Sequence, residues 1–152
     1  MTQSAQLRTF LWFNNNLEEA IDLYSEIFGD QFVLQSSGRP EADGKLMTAE
    51  YTIYGHQFVG MGWPGGPVFN SSISLSISCD GQEETDRLWN ALTKDGQAGQ
   101  CGWCVDPFGV SWQVSPRQMH DYLNHADSEV SAYAWQAMRK MGKIVLADLQ
   151  RP

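Results

Sequence analysis

Two cysteines three positions apart, Cys101 and Cys104, are the residues of this sequence with the most recognisable chemistry. A Cys-x-x-Cys pair that opens a helix is redox-active, because the helix dipole lowers the thiol pKa. The same pair is half of a zinc site when further cysteines or histidines complete four ligands, and Cys79 alone cannot do so. The segment Gln100–Val105 is typical of a strand, whose residues i and i+3 point to opposite faces. We therefore expect free cysteines with a structural role.

A glycine pattern at residues 60–65, Gly-Met-Gly-Trp-Pro-Gly, matches the dinucleotide fingerprint G-x-G-x-x-G. In that fingerprint the last glycine leads into a helix whose N-terminus holds the phosphates. Here Gly66 and Pro67 follow, and then another strand. The sequence therefore predicts no Rossmann-type site for a nucleotide or S-adenosylmethionine, and no cofactor.

Acid–base and nucleophilic catalysis have few candidate residues. There is no G-x-S-x-G elbow, and His56, His120 and His125 lie in a predicted turn or a polar tail, where a solvated imidazole is the usual role. Glu50, within "MTAEYTI", is the one carboxylate set among apolar residues. If it faces a cavity, desolvation would raise its pKa and it could act as a base. The alternative is a glutamate that lies on an edge strand or faces solvent.

Length and charge bound the class of protein. A chain of 152 residues fits one domain with its own hydrophobic core. The net charge of −8 argues against nucleic acid and anionic membranes as partners, since both require a basic face. No signal peptide is visible in "MTQSAQLRTF", and no apolar run approaches the roughly 20 residues of a membrane span. We expect a cytoplasmic protein with reduced thiols.

Hydrophobic patterning predicts the same order of elements twice. Asn16 with Glu19, and Asp80 with Glu83, have the spacing of a helix capping box. The residues "PGGP" at 64–67 separate the two halves. The first half comprises a strand Leu7–Phe13, a helix ending at Gly29, and strands Gln31–Ser37, Lys45–Tyr54 and His56–Trp63, the last two joined at Gly55. The second comprises a strand Ser71–Cys79, a helix with Leu88, Trp89 and Leu92 that stops at Gly96, and strands Gln100–Val105 and Val110–Ser115 around the turn Asp106–Gly109.

After Pro116 the sequence becomes helical, and Asp127 has the position of an N-cap before a second helix. The pattern thus predicts an α+β fold in a single domain, 1–152. It contains a βαβββ module at about 7–66, a second module at about 70–115 and a helical tail at 116–152.

A resemblance to a known family rests on three stretches, "LWFNNNLEEAIDLYSEIFG", "FNSSISLSISCD" and "GQCGWCVDPFGVSWQVSP". They resemble the PhnB-like branch of the glyoxalase/bleomycin resistance/extradiol dioxygenase (vicinal oxygen chelate) superfamily. This branch is labelled demethylubiquinone 3-methyltransferase domain. The resemblance implies a curved mixed sheet whose two modules enclose a pocket, and a homodimer. Metal-dependent members place four His or Glu ligands on the concave face. The matching positions here are Thr9, Gly60 or Met61, Ser72 and Gln113, so we expect no metal site.

The resemblance places a ligand pocket with neutral polar groups amid aromatic side chains, which suits a small organic molecule. Our first hypothesis is metal-free binding of a small, partly apolar molecule. The alternatives are a metal-independent lyase, isomerase or transferase with Glu50 as base, and a dimeric interaction module with a packed cavity. The methyltransferase label and metal-dependent glyoxalase or dioxygenase chemistry have no support in the sequence. The predicted pocket residues are Thr9, Leu11, Phe13, Met61, Trp63, Ser72, Trp103 and Gln113.

Overall fold

The computed structural model describes residues 2–152. The chain forms two compact units, the first extending to Val68 and the second beginning at Phe69. No helix within the described residues is both long and apolar enough to cross a membrane.

The first unit is a four-stranded mixed sheet with one long helix. The elements are β1 (Thr9–Phe13), α1 (Leu17–Phe28), β2 (Phe32–Gly38), β3 (Thr48–Ile53) and β4 (His56–Gly62). The sheet order is β1-β4-β3-β2, in which β1 and β4 are parallel and the other two neighbouring pairs are antiparallel. Tyr54 and Gly55 join β3 to β4 with φ angles of 49° and 77°, and positive φ at both positions is typical of a type I′ hairpin turn.

The second unit repeats this topology and adds the tail. Its elements are β5 (Leu75–Cys79), α2 (Gly81–Thr93), β6 (Gln97–Ala98), β7 (Trp103–Val105) and β8 (Ser111–Pro116). The sheet order is β5-β8-β7-β6, with β5 and β8 parallel, so the predicted pair of βαβββ modules is confirmed. The tail contains α3 (Met119–Leu123), α4 (Ser128–Met138) and α5 (Leu146–Leu149).

Each sheet buries one face beneath its helix. In the first unit the fully buried Phe13 meets Tyr24 of α1 edge to face, with ring centroids 6.3 Å apart. In the second, Leu88 of α2 is fully buried together with Val114 of β8. Burial of such side chains is the main favourable contribution to folding. The tail has its own small core, formed by Leu123, Ala134, Ile144 and Leu149.

Strand β5 is shorter than the predicted Ser71–Cys79. It begins at Leu75, where pairing with Trp112 of β8 begins. Ile73 therefore lies outside the sheet and is 77% exposed, although the alternation of the sequence placed it on the apolar face. An alternating pattern indicates which residues can form a strand, and the partner strand decides where it starts.

Neither predicted capping box forms within the described chain. Asn16 is the N-cap of α1, but its side chain makes no capping hydrogen bond. At α2 the backbone N–H of Asp80 donates to Glu84 Oε2 at 2.6 Å, so Glu84 replaces the predicted Glu83. The predicted cap at Asp127 is confirmed, because its carboxylate accepts from the backbone N–H of Glu129 at 2.9 Å.

Candidate functional site

Three predicted pocket residues lie on the helix-covered side of the first sheet. Successive residues of β1 point to opposite faces, and Leu11 and Phe13 are buried, Phe13 completely. Thr9 points to the same side of the sheet as Leu11 and Phe13, and its hydroxyl forms a 2.8 Å hydrogen bond with His56 Nε2. The structure thus places Leu11 and Phe13 in the core. Because "TFLWF" is apolar on both faces, its sequence could not show which face the helix covers.

Glu50 points to the helix-free side of the first sheet, since its neighbours Ala49 and Tyr51 are buried on the other side. Its carboxylate accepts hydrogen bonds from Arg8 Nη1 at 2.7 Å and Ser36 Oγ at 3.2 Å. The Arg8 guanidinium, and then the Ser36 hydroxyl, lower the pKa of Glu50 below its ordinary value. The suggested base with a raised pKa is therefore corrected: Glu50 is an ion-paired carboxylate.

Gln113 and Trp103 come together on the helix-free side of the second sheet. Gln113 of β8 stands between Ser76 of β5 and Trp103 of β7 in the sheet register. The Gln113 side-chain amide donates to Ser74 Oγ at 2.9 Å, and both side chains are half-buried. We name these four residues, Ser74, Ser76, Trp103 and Gln113, the Gln113 patch.

Ser72 is not part of the Gln113 patch. It is exposed in a turn before β5, where its backbone N–H donates to Asn70 Oδ1 at 2.9 Å. The hydroxyl that contacts Gln113 belongs to Ser74, two residues later. Sequence reasoning missed Ser74 and Ser76, although the serines that alternate with Ile73, Leu75 and Ile77 carried the signal.

Met61 and Trp63 have different surroundings. Met61 lies in β4 between Trp12 and Thr48, on the helix-free side. Trp63 follows the strand and is 50% exposed. Its backbone N–H donates to Phe13 O at 3.1 Å, and its carbonyl accepts from the Trp12 indole at 2.8 Å. Trp63 lines a separate open cavity in the first unit.

The predicted strand Gln100–Val105 was three residues too long, because β7 begins at Trp103 and Cys101 lies in the turn before it. Cys101 and Gly102 have φ angles of 56° and 82°, and the turn joins β6 to β7. Cys104 is buried in β7, and burial, followed by the nearby Asp106, raises the pKa of its thiol to about 12. Among residues 2–152 all three cysteines, Cys79 included, are free, as predicted.

The tail holds this turn in place. Backbone N–H groups of Cys101 and Gly102 donate to Met141 O and Gly142 O, both at 2.8 Å. The side chain of Gln82 in α2 bonds the tail just after this contact, donating to Ile144 O at 2.9 Å and accepting from Leu146 N at 2.8 Å. Because Trp103 directly follows the turn, the tail helps to fix its position in the Gln113 patch.

The glycine-rich stretch has a packing role. A Cβ on Gly60 would lie 2.5 Å from Leu17 Cδ1, and one on Gly62 would lie 2.9 Å from Leu17 Cβ. Both glycines therefore let α1 approach the sheet closely. Gly65 lies in a turn and a loop follows it, whereas a fingerprint of this kind needs a helix. These residues do not fit an S-adenosylmethionine site of the kind that the methyltransferase label of the resembled family implies.

Two βαβββ units of this topology define the fold of the glyoxalase/bleomycin resistance/dioxygenase superfamily. The fosfomycin resistance protein FosX from Listeria monocytogenes, solved with Mn(II) and sulfate, shares this fold. Its TM-score is 0.53 at 14% identity, covering 81% of this chain and 98% of that one. An identity this low shows the fold alone.

The family model for 3-demethylubiquinone-9 3-methyltransferase matches residues 5–115, and the chain belongs to this PhnB-like family. The chain is similar to the PhnB protein from Bacillus cereus, with 28% identity and a TM-score of 0.67, covering 74% of this chain and 99% of that one. It is also similar to the protein PA1353 from Pseudomonas aeruginosa, with 26% identity and a TM-score of 0.58, covering 72% of this chain and 95% of that one. A comparison with curated proteins found no match. The family match ends before the tail.

The four positions that the resemblance matches to metal ligands do not form a site for a divalent cation, because Thr9 lies on the helix-covered side of its sheet and Ser72 lies in an exposed turn. Thr9, Gly60 or Met61, Ser72 and Gln113 offer hydroxyl, thioether and amide groups, in place of the imidazoles and carboxylates that hold such ions. Thr9 and Gln113 are hydrogen-bonded to His56 and Ser74. Within residues 2–152 no three His, Cys, Asp or Glu side chains are grouped to bind a metal.

Proposed function

We propose that this PhnB-like protein binds a small, partly apolar organic molecule at the Gln113 patch without a metal ion. The observation that carries the proposal is the hydrogen bond between Gln113 and Ser74 with Trp103 beside them in the sheet register. At a position that the resemblance matches to a metal ligand, this chain has the neutral amide of Gln113, hydrogen-bonded to the Ser74 hydroxyl.

The chemistry of the Gln113 patch suits such a ligand. Gln113 has a free amide oxygen and a second N–H, while the serine hydroxyls donate and accept, so the patch can pair with carbonyl, hydroxyl or amide groups. The Trp103 indole is half-buried and offers apolar area with few rotatable bonds. Small-molecule sites combine such apolar area with a few placed polar groups.

A thermal-shift screen with a metabolite library tests the proposal, run once with EDTA and once with added Mn(II), Zn(II) and Ni(II). We expect compounds that raise the melting temperature equally in both conditions, because binding raises the stability of the folded state. Hits that require an added metal would overturn the metal-free proposal.

We also propose a cytoplasmic homodimer. The free cysteines support a reducing compartment. Half-exposed apolar side chains of the first sheet, Phe10, Val33 and Leu34, support association of two copies. Sedimentation equilibrium is expected to give twice the 17.1 kDa chain mass, and a monomer at micromolar concentration would contradict the dimer.

A further inference from the structure

The first unit contains an open cavity of about 370 Å³ that the proposed function does not use. It lies where the connection from β2 to β3 passes the ends of β1 and β4. A volume of this size is within the usual range for small-molecule sites. The lining residues are Asn15, Pro40, Glu41, Gly44, Lys45, Met47, Gly62, Trp63 and Pro64.

Backbone hydrogen bonds hold the apolar part of the cavity in place. This part is formed by Trp63, which is half exposed, by Met47 and by two prolines. Gly62 N–H donates to Met47 O at 2.8 Å, and Trp63 N–H donates to Phe13 O at 3.1 Å. Because these bonds fix the walls, the cavity needs little reorganisation to accept a ligand.

The polar part of the cavity contains one positively and one negatively charged side chain. Lys45 is the one cation among the lining residues, and its ammonium donates to Asn15 O at 3.3 Å, which leaves further N–H groups for a ligand. Glu41 is the one lining anion, and it is exposed. Arg39, nearby in sequence, is occupied by the Glu18 carboxylate and by Gly44 O.

We propose that this cavity binds a small organic anion with a flat apolar body, an aromatic carboxylate by chemical class. The carboxylate pairs with the Lys45 ammonium, and the ring lies against the Trp63 indole and Met47. This site is separate from the Gln113 patch in both residues and ligand charge, so either proposal can fail without the other.

An NMR titration of the ¹⁵N-labelled 152-residue chain with benzoate tests the proposal, and neutral benzamide of the same shape is the control. Benzoate is expected to shift the Trp63 indole and the backbone amides of Lys45 and Met47, while benzamide causes much smaller shifts. K45Q should weaken benzoate binding about tenfold, since a charge-assisted hydrogen bond is lost. E41Q should leave binding unchanged or strengthen it, because a like charge is removed.

Three results would overturn the proposal. The first is that benzoate does not shift the Trp63 indole signal, and the second is that benzamide binds as tightly as benzoate. The third is that E41Q weakens benzoate binding as much as K45Q does. The last result would show that the positive charge of Lys45 has no specific role in holding the carboxylate. Both variants change exposed side chains, so unchanged signals elsewhere in the spectrum show that the variant is folded.

Discussion

The side-chain amide of Gln113 donates a 2.9 Å hydrogen bond to Ser74 Oγ, linking the last strand of the second sheet to the residue before its first strand. A glutamine with one N–H fixed in this way presents its remaining groups in a defined direction. The pair is therefore the geometric centre of the proposed site.

Loss of the Ser74 hydroxyl should weaken ligand binding more than it weakens the fold. In S74A the Gln113 amide loses its partner, and we expect an affinity lower by about fivefold, as for one neutral hydrogen bond of about 1 kcal/mol. The measurement is a titration with a compound from the screen. S78A is the matched control, because Ser78 is exposed in β5, the strand that follows Ser74, and pairs with Ser115 in register. Equal effects of S74A and S78A would contradict the account.

Asp106 should be the most sensitive polar residue of the second unit. It is 3% exposed, and its carboxylate accepts from the backbone N–H groups of Phe108 and Val110 and from the Trp112 indole at 2.9 Å. In D106N an amide N–H group meets one of these donors, so we expect a loss of about 2–3 kcal/mol in the free energy of unfolding. Urea denaturation measures it. The exposed control D95N should change stability by less than about 0.5 kcal/mol, and a similar loss in both variants would refute the prediction.

Cys104 should make the protein less stable in alkaline solution. Burial raises the thiol pKa from the ordinary 9.0 to about 12 in the folded state. The unfolded chain therefore loses this proton first, so the stabilising contribution is complete below pH 9 and is lost between about pH 9 and 12. Unfolding free energies measured from pH 8 to 11 should fall less steeply for C104A than for C101A. Equal slopes would show that the thiol is not shielded from water.

Glu50 should titrate as an ion-paired acid. Its pKa is expected below the ordinary 4.5 in the wild type, and R8Q should raise it toward that value. The stability from this pair is present above about pH 4.5 and disappears as the pH falls through the folded-state pKa. Carboxyl ¹³C chemical shifts across acidic pH measure both values. A wild-type pKa above 4.5 would restore Glu50 as a candidate base.

Local signals in the sequence predicted much of the fold. The turn at Gly55, the helix end at Gly29 and the N-cap at Asp127 depend on residues close together in the chain. The repeated order of strands and helices followed from hydrophobic periodicity. Gln113 and Trp103 were both predicted as pocket residues from the family resemblance, and in the structure they are neighbours in the sheet register.

Long-range contacts decided the features that the sequence missed. The turn at Cys101 and Gly102 is held by carbonyl groups of the tail about 40 residues away, which no local pattern reveals. The face of β1 that carries Phe13 depends on where α1 packs, and the strand itself is apolar on both sides. The pKa of Glu50 depends on Arg8, which is 42 positions away.

The most direct test of the central claim is an NMR titration of wild-type and Q113L protein, in EDTA, with the compound that stabilises the protein most in the screen. The account predicts amide shifts around Ser76, Trp103 and Gln113 in the wild type, and their loss in Q113L, which keeps the fold and removes the amide. Shifts that map to other residues, persist in Q113L or appear only after a divalent metal is added would contradict metal-free binding at the Gln113 patch.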